Sequence, residues 1–231
     1  LNAIKSVYRH RQTADDTVMR PIDLTVDGFL GGLLGRLQGV HGLAQDTADE
    51  IAALSEAWPR GETRGAVVEP ERLPACDWLS PALDLGRSGS EAGLAISIAA
   101  LAPALHWTYS YPDRSLAGQI AFSQIVGRRG LRRGESLHIG LTLIAPHVAY
   151  PPHAHPAVEL YLVIAGTARW QRGLEPPAPQ PPGSIVLHAS NVPHAMTTGD
   201  EPLLAIWTWR GDLDSPSRYL DAMPVSPFLH I

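Results

Sequence analysis

Two histidines, a carboxylate and two phenols fall within the short run Tyr150-Pro151-Pro152-His153-Ala154-His155-Pro156-Ala157-Val158-Glu159-Leu160-Tyr161. On a strand successive side chains alternate faces, so His153 and His155 point the same way, as do Glu159 and Tyr161. Neutral imidazoles and a carboxylate are the donors that a divalent first-row metal takes. A phenol beside such an ion has its pKa of ~10 lowered and can serve as a general base. Leu162, Val163 and Ile164 then run on to Gly166, so the polar cluster belongs to a buried strand. The segment reads as a metal site inside a barrel.

The elements that must position it differ on either side of residue 115. Before that point the pattern is helical. Ile22, Val26, Phe29, Leu30, Leu33, Leu34 and Leu37 recur at three- and four-residue steps behind Pro21 and Asp23. Glycines at 28, 31, 32, 35 and 39 weaken this helix unless another backbone packs closely on it. A second helix is expected over Thr47 to Trp58, then a loop over 59–75. A third helix is expected over Ser90 to Ala102, with Ser90 as its cap and Pro103 as its stop. After Leu116 short strands separated by turns take over: Gln119–Val126, Ser136–Ala145, Val158–Arg169, Ser184–Leu187 and Leu203–Arg210. The stretch from Glu175 to Gly183 carries five prolines and reads as a stiff connection. The expected architecture is mainly β. A helical N-terminal section, 1–114, packs on an antiparallel barrel, 115–231, to make one compact unit.

Composition narrows the function. Of 231 residues, 45% are hydrophobic and 18% charged, and the net charge is −5, so no broad basic field exists to attract nucleic acid. The one basic cluster, Arg128-Arg129-Gly130-Leu131-Arg132-Arg133, reads as a solvated hairpin turn. Cys76 is the only cysteine, which rules out an intramolecular disulfide and a thiolate metal cluster; it reads as a small buried side chain. No run approaches the ~20 apolar residues of a membrane span. The start, Leu1-Asn2-Ala3-Ile4-Lys5, reads as a trimmed end rather than a signal peptide, and the expected location is cytoplasmic.

The spacing His-x-His-x3-Glu-x6-Gly, as His153, His155, Glu159 and Gly166, resembles the first motif of the cupin superfamily. A second half follows in Pro182-Gly183-Ser184-Ile185-Val186-Leu187 and Ala189-Ser190-Asn191-Val192-Pro193-His194. The resemblance implies a jelly-roll-like antiparallel barrel in which His194 faces the first motif from a neighbouring strand as the last histidine ligand. Two positions depart from the pattern. His147 stands where a glycine is usual, and Asn191 replaces the glycine of the second turn; Asn tolerates positive φ, so that turn survives. Three histidines and a carboxylate suit Zn, Fe(II) or Mn, and also Ni or Co, and affinity order does not choose among them. Of the other histidines, His10, His41 and His230 read as surface residues and His106 and His138 as structural. His188, one strand-length from His194, reads as structural too, with contact to a ligand as the alternative. His147 is placed at the mouth of the site.

Tyr161 shares a face with Glu159, so its phenol reaches toward the metal or a substrate on it; the bland alternative is a core aromatic. With Tyr150 at the rim, the set Tyr150-x2-His153-x-His155-x3-Glu159-x-Tyr161 plus His194 resembles the cupin-type dimethylsulfoniopropionate (DMSP) lyases. It is most similar to the DddL branch, with the DddQ group next. The resemblance covers roughly residues 115–212 well and the helical section more loosely. It implies cleavage of DMSP to dimethyl sulfide and acrylate, with His155, Glu159 and His194 as ligands and Tyr161 as base. It also implies that Tyr150 lines the substrate pocket and that His153 is a ligand or a close neighbour of one. The residues fit that chemistry: a metal takes the substrate carboxylate and acidifies Cα–H, Tyr161 removes the proton, and the sulfonium leaves as a neutral sulfide. Trp207 and Trp209 share a strand face and, with Tyr150, offer a cation–π wall to a small-molecule sulfonium. Trp107, Tyr109 and Tyr111 read as packing near the junction of the two sections. Cupins pair through barrel edges, which implies a homodimer, though no particular residue speaks for it. A non-haem Fe(II) dioxygenase and a non-catalytic ligand-binding cupin are the competing readings. Which tyrosine is the base, and whether His153 or Tyr161 coordinates the metal, stay open at this level.

Overall fold

A computed structural model describes residues 21–59 and 72–224; His10, His230 and most of the expected 59–75 loop lie outside them. Helix α1 (Pro21–Gln38) opens on a proline, whose missing N–H costs nothing in a first turn. Val26, Phe29, Leu30, Leu33 and Leu37 form its buried stripe. Its glycines do not serve close packing: Gly28, Gly31 and Gly35 face open space, and Gly32 meets only the Leu94 side chain at 3.6 Å. Helix α2 (Gln45–Ala57) follows. A 3-10 turn over Pro74–Trp78 leads into α3 (Leu79–Arg87), which the sequence reading missed. Pro81 looks like a breaker there, but it sits in the first turn, where a helix tolerates it. Helix α4 (Ala92–Leu101) starts without a side-chain cap, so Ser90 does not do what its type suggested. The neighbouring Glu91 instead takes Arg36 of α1 through Nε at 3.0 Å and Nη2 at 2.8 Å.

Eleven strands follow: β1 (Trp107–Thr108), β2 (Ile120–Val126), β3 (Leu137–Ile144), β4 (Ala149–Ala154), β5 (Val158–Ala165), β6 (Ala168–Arg172), β7 (Ala178–Gln180), β8 (Ile185–His188), β9 (His194–Thr198), β10 (Leu203–Arg210) and β11 (Arg218–Tyr219). They form two antiparallel sheets, ordered β1-β2-β3-β10-β5-β8 and β11-β4-β9-β6-β7. The single strand expected over Val158–Arg169 is two, because Gly166 turns the chain between the sheets at φ +73°. A Cβ at Gly166 would sit 2.1 Å from the Pro202 carbonyl oxygen, so only glycine fits. The proline-rich connection also contains a strand, β7. Prolines suit this sheet edge, where one side of the ladder needs no donor.

The two faces of the six-stranded sheet have different partners. Phe29, Leu33 and Ile98 of the helices share one core with Leu141, Leu162 and Ile164. Tyr161, Val163 and Trp207 on the opposite face join Trp170 and Met196 of the five-stranded sheet in a second core. The order is thus helical layer, sheet, sheet, and the site lies between the two sheets. Among the described residues the helices are tied to the β section by the ion pairs Arg210–Glu50 at 2.6 Å and Arg132–Asp27. Arg132 is therefore buried rather than part of a solvated turn, whereas Arg128 stays exposed and pairs with Asp214 at 2.5 Å. Among the described residues no helix is long and apolar enough to cross a membrane.

Candidate metal centre and pocket

Strands β4, β5 and β9 bring His155, Glu159 and His194 together, all buried, with one donor atom from each within 4.8 Å of the others. His155 follows β4, Glu159 is the second residue of β5, and His194 opens β9. Glu159 Oε2 lies 3.0 Å from His155 Nε2 and 3.3 Å from His194 Nε2. Its other oxygen accepts the Trp209 indole N–H at 2.7 Å. The Trp209 ring also lies over His155, with 4.4 Å between centroids. Asn191 holds φ +59° in the turn that delivers His194, the conformation its side chain tolerates.

Each imidazole has its Nδ1 against a backbone carbonyl: His155 with Ala157 at 3.0 Å, His194 with Val192 at 2.9 Å, and His153 with Pro151 at 2.9 Å. An Nδ1–H donated to a carbonyl leaves the Nε2 lone pair for a cation. His194 Nε2 is buried and makes no hydrogen bond among the described residues. Burial pushes Glu159 upward, but the charge and hydrogen bond of His155 together with the charge of His194 win and hold it well below the usual carboxylate range. Burial likewise pushes His155 down, and the Glu159 carboxylate reverses this. An ionised carboxylate flanked by two imidazoles that turn Nε2 toward it is a donor set that could hold a divalent metal, which would take the place of the proton between His155 and Glu159. His153 lies just outside this trio; its ring stands 4.0 Å from that of His194, and Tyr150 stacks on it at 4.1 Å.

A cavity of about 340 Å³ opens beside the trio, lined by Tyr150, Tyr161, Trp207 and Trp209 together with His153, His155 and Glu159. Tyr161 is held well above the ordinary phenol range by burial and then by the Glu159 charge. The Tyr150 hydroxyl is tied to Tyr111 at 2.6 Å, and Tyr111 is tied to Ser217 at 2.7 Å. The Trp207 N–H is buried with no partner among the described residues. His147 is not in the lining. It occupies an exposed turn before β4 at φ +58°, with Nε2 3.4 Å from Asp200. The sequence reading missed Tyr111, which lines the pocket although its neighbours Trp107 and Tyr109 suggested plain packing. The alternation Trp107, Tyr109, Tyr111 on an extended segment was the available signal.

Two antiparallel sheets enclosing a buried His/Glu cluster under a helical layer define a cupin-type protein. Comparison with known proteins makes this narrower. The DMSP lyase family model matches residues 50–205, and the chain belongs to that family. It is 35% identical over 181 residues to the putative dimethylsulfoniopropionate lyase DddL of Cereibacter sphaeroides, covering 75% of each chain. It is 30% identical over 193 residues to dimethylsulfoniopropionate lyase DddQ of Ruegeria pomeroyi, covering 82% of this chain and 92% of that one. The crystal structure of DMSP lyase DddQ from Ruegeria pomeroyi superposes with a TM-score of 0.70 over 85% of this chain and 96% of the other, at 24% identity.

Proposed function

We propose that this protein cleaves dimethylsulfoniopropionate to dimethyl sulfide and acrylate by β-elimination. One observation carries the reading beyond family membership: Tyr111, Tyr150 and Tyr161 line one cavity together with His155 and Glu159 of the candidate metal cluster. His155, Glu159 and His194 would hold the metal, with His153 beside them as a fourth donor. A divalent cation held there would supply a Lewis acid for the substrate carboxylate, acidifying Cα–H, and would offset the Glu159 charge that adds to burial in keeping the Tyr161 phenol protonated. Tyr161 takes the Cα proton. The C–H electron pair becomes the Cα=Cβ double bond, the Cβ–S bond breaks, and its pair leaves with sulfur as neutral dimethyl sulfide.

Tyr161 is the better base because the Tyr150 hydroxyl is already engaged by Tyr111. The Glu159 carboxylate is turned toward Trp209 and the histidines, so a sulfonium finds its attraction in the faces of Tyr111, Phe122 and Tyr150. The unpaired Trp207 N–H supports a place for it against a substrate carboxylate oxygen. The same reading carries two further expectations, a homodimer and a cytoplasmic location. Purified protein loaded in turn with Zn, Fe(II), Mn, Ni and Co is mixed with DMSP and the headspace sampled. Dimethyl sulfide is expected, with and without oxygen. Its absence with every metal refutes the lyase reading, and product only in the presence of oxygen favours a dioxygenase.

A further inference from the structure

Behind His194 sits a second imidazole that the elimination does not use. His188 ends β8 opposite Glu159, and its side chain is wholly buried. Its ring lies almost flat on that of His194, with 3.8 Å between centroids and 11° between planes. The Trp170 indole N–H donates to His188 Nε2 at 3.1 Å. An indole nitrogen is only a donor, so His188 Nε2 must present its lone pair, and a neutral ring carries its proton on Nδ1. That nitrogen is committed to Trp170 and is not available to a metal.

His194 needs such a neighbour. The terminal torsion of a histidine is broad, so rotamer preference alone does not set the ring plane. The hydrogen bond to the Val192 carbonyl fixes one edge but leaves the ring free to tilt about it. A ring laid flat against one face removes that freedom, and His153 stands edge-on at 4.0 Å as a further stop. What remains unengaged is His194 Nε2. We infer that His188, locked in orientation by Trp170, is a positioning residue that sets the ring plane of His194 for metal capture. The inference rests on the reading of His194 as a ligand. It requires a flat ring at position 188 rather than the imidazole donor itself.

Two double variants test it, both removing the Trp170 N–H so that no buried donor is orphaned. His188→Leu/Trp170→Phe loses the stacked ring, and His188→Phe/Trp170→Phe keeps one. Co(II) affinity is read by competition with a chromophoric chelator, together with the visible d–d spectrum of the bound ion. The leucine variant is expected to bind Co(II) about 10- to 100-fold more weakly, the range for residues that orient a ligand, and to shift the spectrum. The phenylalanine variant is expected to stay within a few-fold of wild type. Equal affinity for both variants, whether wild-type or weak, overturns the inference. If the leucine variant does not fold, His188→Ala/Trp170→Phe, which also lacks the stacked ring, takes its place: the same 10- to 100-fold loss is expected, and an unchanged affinity and spectrum overturns the inference. Wild-type protein that binds no Co(II) refutes the metal centre itself. DMSP cleavage enters none of these readouts, so failure of the lyase reading shows up separately.

Discussion

Replacing Trp209 by Phe keeps an aromatic ring against His155 and deletes one hydrogen bond, the 2.7 Å contact from the indole nitrogen to Glu159 Oε1. That bond holds one carboxylate oxygen so that the other faces His155 at 3.0 Å and His194 at 3.3 Å. Hydrogen bonds to charged groups contribute about 1.5–3 kcal/mol. Glu159 is buried while Trp209 is half-buried, so about 2 kcal/mol is a fair value here. If all of it bears on metal capture, the dissociation constant rises roughly 30-fold. Competition titration of the variant against a chelator measures this, and a thermal melt of the metal-free protein shows how much of the loss falls on the fold. A Trp209→Phe protein that binds metal within twofold of wild type would show that the indole does not orient the carboxylate. Glu159 would then owe its orientation to another contact.

Three further outcomes follow from the same geometry. Tyr161→Phe is expected to abolish DMSP cleavage while metal content and substrate binding stay near wild type; a near-normal rate would transfer the base to Tyr150 or a histidine. Glu91→Ala removes a carboxylate that is 3% exposed from an Arg36 side chain that is 32% exposed. Because the freed guanidinium reaches water, the cost is about 2 kcal/mol, below the 3–5 of a fully buried pair, and is read as a fall in Tm; no change refutes the role of this pair. His138 is held below the ordinary imidazole range by burial and then by the Arg128 charge. The fold thus favours its neutral form, while the unfolded chain takes a proton near its ordinary value of about 6.5. The stability it contributes is present above that pH and is lost as the pH falls through it toward the lower folded value. His138→Gln should flatten the acid limb of Tm against pH, and an equally steep limb would refute the assignment.

The candidate cluster was legible because its spacing survives folding: His155 and Glu159 are close in sequence, and both sit where β4 gives way to β5. The helical stripe of α1 and the strand β10 were legible for the same reason, since one strong local period dictates each. What was hidden depends on contacts between distant segments. Nothing local says that Tyr111 meets Tyr150, or that Trp209 turns its N–H to Glu159; both follow from how the strands align. His147 misled because a histidine near the motif invites a chemical role, whereas its place is a left-handed turn that a glycine would fill equally well. Strands β4 and β9 were obscured by the prolines around His153 and His194, which break the expected alternation.

Those prolines have a physical consequence at the centre. The Nδ1 hydrogen bond of each of the three imidazoles spans a single proline: His153 reaches back over Pro152 to the Pro151 carbonyl, His194 back over Pro193 to Val192, and His155 forward over Pro156 to Ala157. Proline fixes its own φ and drives the preceding residue to extended backbone, which limits where the flanking carbonyls can point. The carbonyl is therefore held in place before the imidazole is, and it takes the Nδ1 proton. Nε2 is then the nitrogen that a neutral ring would turn to a metal at each position, whichever strand supplies the ring. The prolines that hid the strands from a periodicity reading are thus the residues that choose the tautomer, and the density of proline around the histidines is a sign of the site rather than noise over it.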